Sequence, residues 1–91
     1  MASSEAETGL SSRGRLRIIR ELELAGNPLS VYMLEKRTGV RSRALHSDIN
    51  ALVTINWVKA LPGRITKYEL NHENNGLRAV VRTLYEINYI T

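Results

Sequence analysis

Residues 29–70 read LSVYMLEKRTGVRSRALHSDINALVTINWVKALPGRITKYEL, and the architecture follows from them. Leu29 comes directly after Asn27-Pro28, a turn that a helix cannot cross because proline lacks the needed amide, so Leu29 is expected in a short extended bridge. Ser30 is a suitable N-cap for a helix over Val31 to Thr38, with Val31 and Leu34 facing inward, Met33 at the margin, and Glu35, Lys36 and Arg37 in water. Gly39 supplies a left-handed stop and Val40 plugs the turn. Ser42 then caps a longer helix running to about Ile55, which Asn56 ends in place of glycine. Trp57 to Leu61 and Ile65 to Leu70 are rich in β-branched and aromatic residues. They flank Pro62-Gly63-Arg64 and are expected to pair as a hairpin.

Outward from this block, Leu16, Ile19 and Leu22 recur at three-residue spacing between Arg13 and Ala25, with Ile18 beside them, and predict an amphipathic helix that Gly26 stops. Beyond the polar stretch Asn71 to Gly76, a last helix carries the apolar seam Leu77, Val80, Val81, Leu84, Ile87 and Ile90. A helix, a tight turn with glycine, a longer helix and a hairpin make a mainly α fold with a small β-hairpin wing. The expected architecture is a winged helix-turn-helix with a C-terminal dimerisation helix. The expected division is a disordered tail over residues 1–12, a DNA-binding domain over 13–73 and the dimerisation helix over 74–91.

A chain of 91 residues fits one domain and buries a modest core, which favours help from a second subunit. There is no Phe, so aliphatic residues supply nearly all of that core, joined by Trp57 and the tyrosines Tyr32, Tyr68, Tyr85 and Tyr89. The absence of cysteine excludes a disulfide, a thiolate metal site and a cysteine nucleophile. Neither end carries an apolar run of spanning length, and Met1 to Ser12 lacks the basic start and apolar middle of a signal peptide. No membrane is expected, and the location expected is cytoplasmic and nucleoid-associated. Glu5 and Glu7 are the only charged residues before Arg13, so the rest of the chain holds all 13 bases and is more basic than the overall net charge of +4. Such a balance suits a polyanion, although it also serves solubility.

On a helical wheel, Leu45, Ile49 and Leu52 of the longer helix fall together, with Val53 at the edge. The opposite face consists of Arg43, Ser47, Asn50 and Thr54, with His46 at one margin and Arg41 just ahead. None is acidic. Asp48 falls near the core edge, where a neighbouring base is the expected partner. Arg grips a guanine edge through two parallel bonds and Asn does the same for adenine, so Arg43 and Asn50 are the expected base contacts in a major groove. Arg41, Ser42 and Ser47 are expected on phosphates. Arg64 at the wing tip is a candidate for a minor groove, with Lys59 and Lys67 flanking it on phosphates, although Pro-Gly-Arg is also an ordinary turn.

Residues 29–70 resemble the winged-helix domains of PadR-like and MarR-like regulators. The resemblance implies that Arg41 to Thr54 form a recognition helix, Trp57 to Leu70 a wing, and Leu77 to Ile90 a dimerising helix. It also departs from that pattern, with a shorter wing and Asn56 where many relatives have glycine. In size and layout the chain is similar to small archaeal winged-helix proteins, including plasmid-partition site binders and viral regulators. The function expected is sequence-specific binding of double-stranded DNA by a homodimeric transcriptional regulator. A partition or DNA-organising adaptor that spreads along DNA and recruits another protein through the acidic tail is the first alternative, and a protein-interaction module the second.

The dimer interface is expected at Leu77, Val80, Val81, Leu84, Tyr85 and Ile87, where burying each aliphatic side chain gains on the order of 1.5 to 3 kcal/mol. The alternative is that this helix folds back on the first helix of its own chain. His46 and His72 stand 26 positions apart, without paired carboxylates at ligand spacing. No phosphate loop or nucleophile motif is present, so neither a metal, a cofactor nor an enzyme is expected.

Overall fold

A computed structural model describes residues 2–91, and Met1, the first residue of the expected tail, lies outside them. The elements are α1 (Ala2–Gly9), α2 (Arg13–Ala25), β1 (Leu29–Ser30), α3 (Val31–Thr38), α4 (Ser42–Thr54), β2 (Val58–Leu61), β3 (Lys67–Leu70) and α5 (Asn75–Glu86). Among the described residues no helix is long and apolar enough to cross a membrane.

The three central helices pack through the residues their periodicity marks. Ile18, Ile19 and Leu22 of α2, Leu34 of α3, and Leu45, Ile49 and Leu52 of α4 form one buried cluster with Trp57 and Val58. Their ends are set locally. The Ser30 hydroxyl accepts the Met33 amide to start α3, and the Ser12 hydroxyl accepts the Arg15 amide to start α2. Gly26 and Gly39 stop α2 and α3 at φ 70° and 73°, where a Cβ would be strained.

Asn56 ends α4 at φ 64°. The Asn56 amide reaches Val53 O and the Trp57 amide reaches Leu52 O, both at 3.0 Å, so two terminal carbonyls are satisfied while Trp57 folds onto Leu52 in the core. Trp57 is therefore committed to the helix cap and precedes β2 instead of belonging to it. The hairpin is correspondingly shorter than its composition predicts. Ile65 and Thr66 join Pro62-Gly63-Arg64 in the loop, because Leu61 already pairs with Lys67. The bridge at Leu29 gains a ladder of its own, since β1 pairs antiparallel with β3 and gives a three-stranded sheet in the order β1-β3-β2.

Two expectations are corrected. The first residues do not form a disordered tail. Ala2–Gly9 is helical, as its alanines and glutamates favour, and it packs against α4 and α5. The indole N–H of Trp57 donates to the Glu5 carboxylate, and the Gly9 backbone lies against the indole ring.

The C-terminal helix also does not run to the end of the chain. It stops at Glu86, where Asn88 takes φ 64° and the Tyr89 amide bonds Leu84 O at 2.8 Å. The chain then turns back, burying Ile90 completely and stacking Tyr89 beneath Arg20 with 4.6 Å from guanidinium to ring centre.

Candidate nucleic-acid interface

α4 presents its two faces as the wheel requires. Leu45, Ile49 and Leu52 are at most 1% exposed, while Arg41, Ser42, Arg43, His46, Ser47, Asn50 and Thr54 all face solvent. The start of the helix differs by one residue from expectation. Arg41, not Ser42, occupies the cap position, in extended conformation and without a side-chain bond to the first turn. Ser42 is thus the first helical residue, and no side-chain oxygen of the cap occupies the free amides of that turn.

The outward side chains are not equivalent. The Nδ1 of His46 lies 2.8 Å from Ser42 O. A carbonyl only accepts, so Nδ1 donates to it and Nε2 is the ring nitrogen turned outward. Thr54 donates its hydroxyl proton to Asn50 O at 2.8 Å, which leaves it only acceptor capacity toward a ligand. Asp48, the one acid of α4, points away from this face, where Arg15 Nε donates to its Oδ1 at 2.9 Å. The outward face of α4 is therefore free of negative charge. Among the described residues no ion pair involves Arg41, Arg43, Arg64 or Lys67.

The wing carries Lys59, Arg64 and Lys67, all exposed. Lys59 faces Glu69 directly across the hairpin, at 3.8 Å from Nζ to the carboxylate. That exposed pair contributes little stability, but it neutralises Lys59 in place. Arg64 sits in the loop and Lys67 where the strands begin, and neither has such a partner. The structure thus brings Arg41, Ser42, Arg43, His46, Ser47 and Asn50 to the exposed side of α4, with Thr54 at its far end and the wing as a separate basic projection.

The six residues expected at a dimer interface divide. Leu77, Val81 and Leu84 are buried against the chain's own core, because α5 folds back on α2 as well as bordering α1. Tyr85 and Ile87 remain exposed and Val80 half-buried. With Leu10, which the sequence reading passed over, Val80 lines an open apolar groove of about 220 Å³ together with Ala79, Thr83 and Leu84.

On the opposite side, Glu23 of α2 accepts from the Tyr85 hydroxyl at 2.8 Å and lies 3.1 Å from His72 Nε2. The first contact holds the Tyr85 hydroxyl above its usual range, with slight desolvation and repulsion from the same carboxylate adding to it. His72 is thereby placed in a structural clasp between helices. Among the described residues no group of three His, Asp or Glu converges at metal-ligand spacing.

No family model and no curated protein matches the chain. Solved structures do resemble it. The transcriptional repressor BigR from Xylella fastidiosa aligns over 94% of this chain and 85% of its own, with a TM-score of 0.76 at 22% identity. NolR from Sinorhizobium fredii aligns over 99% and 90%, with a TM-score of 0.77 at 20% identity. The homodimeric winged helix-turn-helix DNA-binding domain of Mb0332 from Mycobacterium bovis, a possible ArsR-family transcriptional regulator, aligns over 96% and 81%, with a TM-score of 0.72 at 19% identity. The sequence resemblance named PadR-like and MarR-like regulators, whereas ArsR is the family named among these neighbours. What all of them share with this chain, over nearly its whole length, is the winged helix-turn-helix fold.

Proposed function

We propose that the chain binds double-stranded DNA sequence-specifically and acts as a dimeric transcriptional regulator inside the cytoplasm, with α4 in the major groove and the wing on backbone or minor groove. The observation that carries this reading is the solvent face of α4. It sets Arg43, Ser47 and Asn50 side by side, unencumbered by acid because Asp48 is held inward by Arg15. A helix of this width enters a B-form major groove, where guanidinium and amide groups distinguish base edges.

Arg41, Ser42 and Ser47 are assigned to phosphates, aided by the open amides of the first turn. His46 is assigned a contact at the margin of the face through Nε2. Lys67 and Arg64 add sequence-independent attraction. The homodimeric Mb0332 domain and the repressor BigR support the dimer and the regulatory role by likeness. The outward residues Leu10, Val80, Tyr85 and Ile87 supply the surface for a two-fold contact. Such a dimer sets its two reading helices about 34 Å apart and calls for an inverted repeat. The recruiting-adaptor alternative loses the free acidic tail that it calls on to recruit a partner, since the N-terminal segment is folded onto Trp57.

A duplex selected from random sequence by the wild-type chain provides the test. Arg43→Ala and Asn50→Ala are each expected to lose about 1–3 kcal/mol on that duplex and little on random DNA. Lys67→Ala weakens both alike and lowers the salt slope by about one. Equal affinities of wild type and the Arg43 and Asn50 variants on both duplexes contradict base readout. A chain that shows no salt-sensitive DNA binding at all favours a protein-contact role.

A further inference from the structure

The reading helix is held from behind at two places by the N-terminal segment. At its middle, Arg15 of α2 donates from Nε to Asp48 Oδ1 at 2.9 Å and from Nη1 to Thr8 O and Ser11 Oγ at 2.6 and 2.7 Å. One guanidinium therefore joins the C-terminal end of α1, the start of α2 and the centre of α4. Ser12 closes the node, capping α2 while its hydroxyl lies 3.4 Å from the same Asp48 oxygen. At the far end of α4, Trp57 follows the helix cap directly. Its N–H donates to Glu5 and its ring carries Gly9. The Glu5 carboxylate also borders Gly76 in the first turn of α5, where a Cβ would meet it at about 3 Å.

The Arg15–Asp48 contact is poorly explained as a source of stability. The Arg15 and Asp48 side chains are only 17% and 13% exposed, and an ion pair at that depth returns little beyond its own desolvation. What it fixes is geometry. Asp48 lies between Ser47 and Asn50 in sequence, so its direction sets the rotation of α4 about its axis and with it where Arg43, Ser47 and Asn50 point. Trp57 fixes the helix end, so the two attachments determine rotation and axial position together.

We infer that α1 and the Arg15–Asp48 pair are a positioning unit for α4, which sets sequence choice without touching nucleic acid. This role rests on the DNA-binding reading above. It makes the N-terminal segment part of the reading apparatus, placed between α4 and the apolar groove that Leu10 shares with α5.

Arg15→Lys and Asp48→Asn test it, the first keeping the charge while losing the fork of donors. The affinity ratio between the selected duplex and a random duplex is expected to fall about tenfold, the equivalent of one misaligned base contact. Affinity for random DNA and the salt slope stay at wild-type values. In the absence of DNA, acrylamide quenching of Trp57 rises in both variants as α1 loosens. An unchanged ratio in variants with a working wild type overturns the positioning role alone. Equal losses on both duplexes also overturn it, since they report general unfolding. A wild-type chain that binds neither duplex overturns the functional reading, and the positioning role with it.

Discussion

Replacing Gly9 by Ala adds one methyl group where the structure has no space for it. An ideal Cβ at this position lies 2.1 Å from Cζ3 and 2.5 Å from Cη2 of Trp57, and the ring is 1% exposed and enclosed by core side chains. Either the ring is driven into a close-packed interior, or α1 lifts off. Overpacking costs about 1–3 kcal/mol. Lift-off exposes one face of the indole, on the order of 100 Å², worth about 2.5 kcal/mol at roughly 25 cal/mol per Å². The opposing term is small, since Gly→Ala at a compatible helical position gains about 0.4–1 kcal/mol by restricting the unfolded chain. A net loss of about 1–2 kcal/mol is expected. Urea unfolding followed by circular dichroism and by emission of the single tryptophan measures it. The midpoint should fall and the native emission move to the red. Gly63→Ala is the control, because the nearest atom there is Ile65 O at an ordinary 3.8 Å. Gly9→Ala that is as stable as wild type, with unshifted native emission, refutes the docking of α1 on Trp57.

Asn56→Gly should raise stability by up to about 1 kcal/mol, because a residue with a Cβ now holds the left-handed position that ends α4; an unfolding midpoint at or below wild type argues otherwise. Tyr85 should ionise above its usual value of 10.0 because its hydroxyl donates to Glu23. That contribution is fully present below the unfolded value and is lost as pH rises through the folded one. Tyrosinate absorbance should show Glu23→Gln returning one tyrosine toward the usual value. Ile87→Glu should leave the circular dichroism spectrum intact and dissociate the proposed dimer in sedimentation. A wild-type chain that stays monomeric at high concentration counts against that surface.

The central block was legible because each boundary has a local cause. Ser30, Gly39 and Asn56 mark helix ends by cap chemistry alone, and the wheel of α4 sorts Leu45, Ile49 and Leu52 from Arg43, Ser47 and Asn50 without reference to the rest of the chain. Even the inward turn of Asp48 follows from its angular position. The α1 helix was missed because eight residues with one short apolar neighbour are not stable alone, and only contact with Trp57, some fifty positions away, makes them so. The signal available was the run of alanine and glutamate with Glu5 in the first turn, which complements the helix dipole. The seam of α5 was read as one surface because periodicity shows that a stripe will be buried and does not say against what. Leu77 and Leu84 found their own core, whereas Ile87 did not.

The three-stranded sheet gives the wing two mechanical regimes. Its stranded root is clamped, since Lys67 and Tyr68 of β3, next to the loop, pair with β1 as well as β2, while Val58 and Leu70 anchor the opposite end of the hairpin in the core. Beyond Leu61 and Lys67 no ladder bond continues, and the loop carrying Arg64 projects as a cantilever. The root therefore moves with the helices as a rigid mount. On the DNA-binding reading proposed above, a tip free of ladder bonds can adjust to a furrow whose width varies with sequence without disturbing the register of α4.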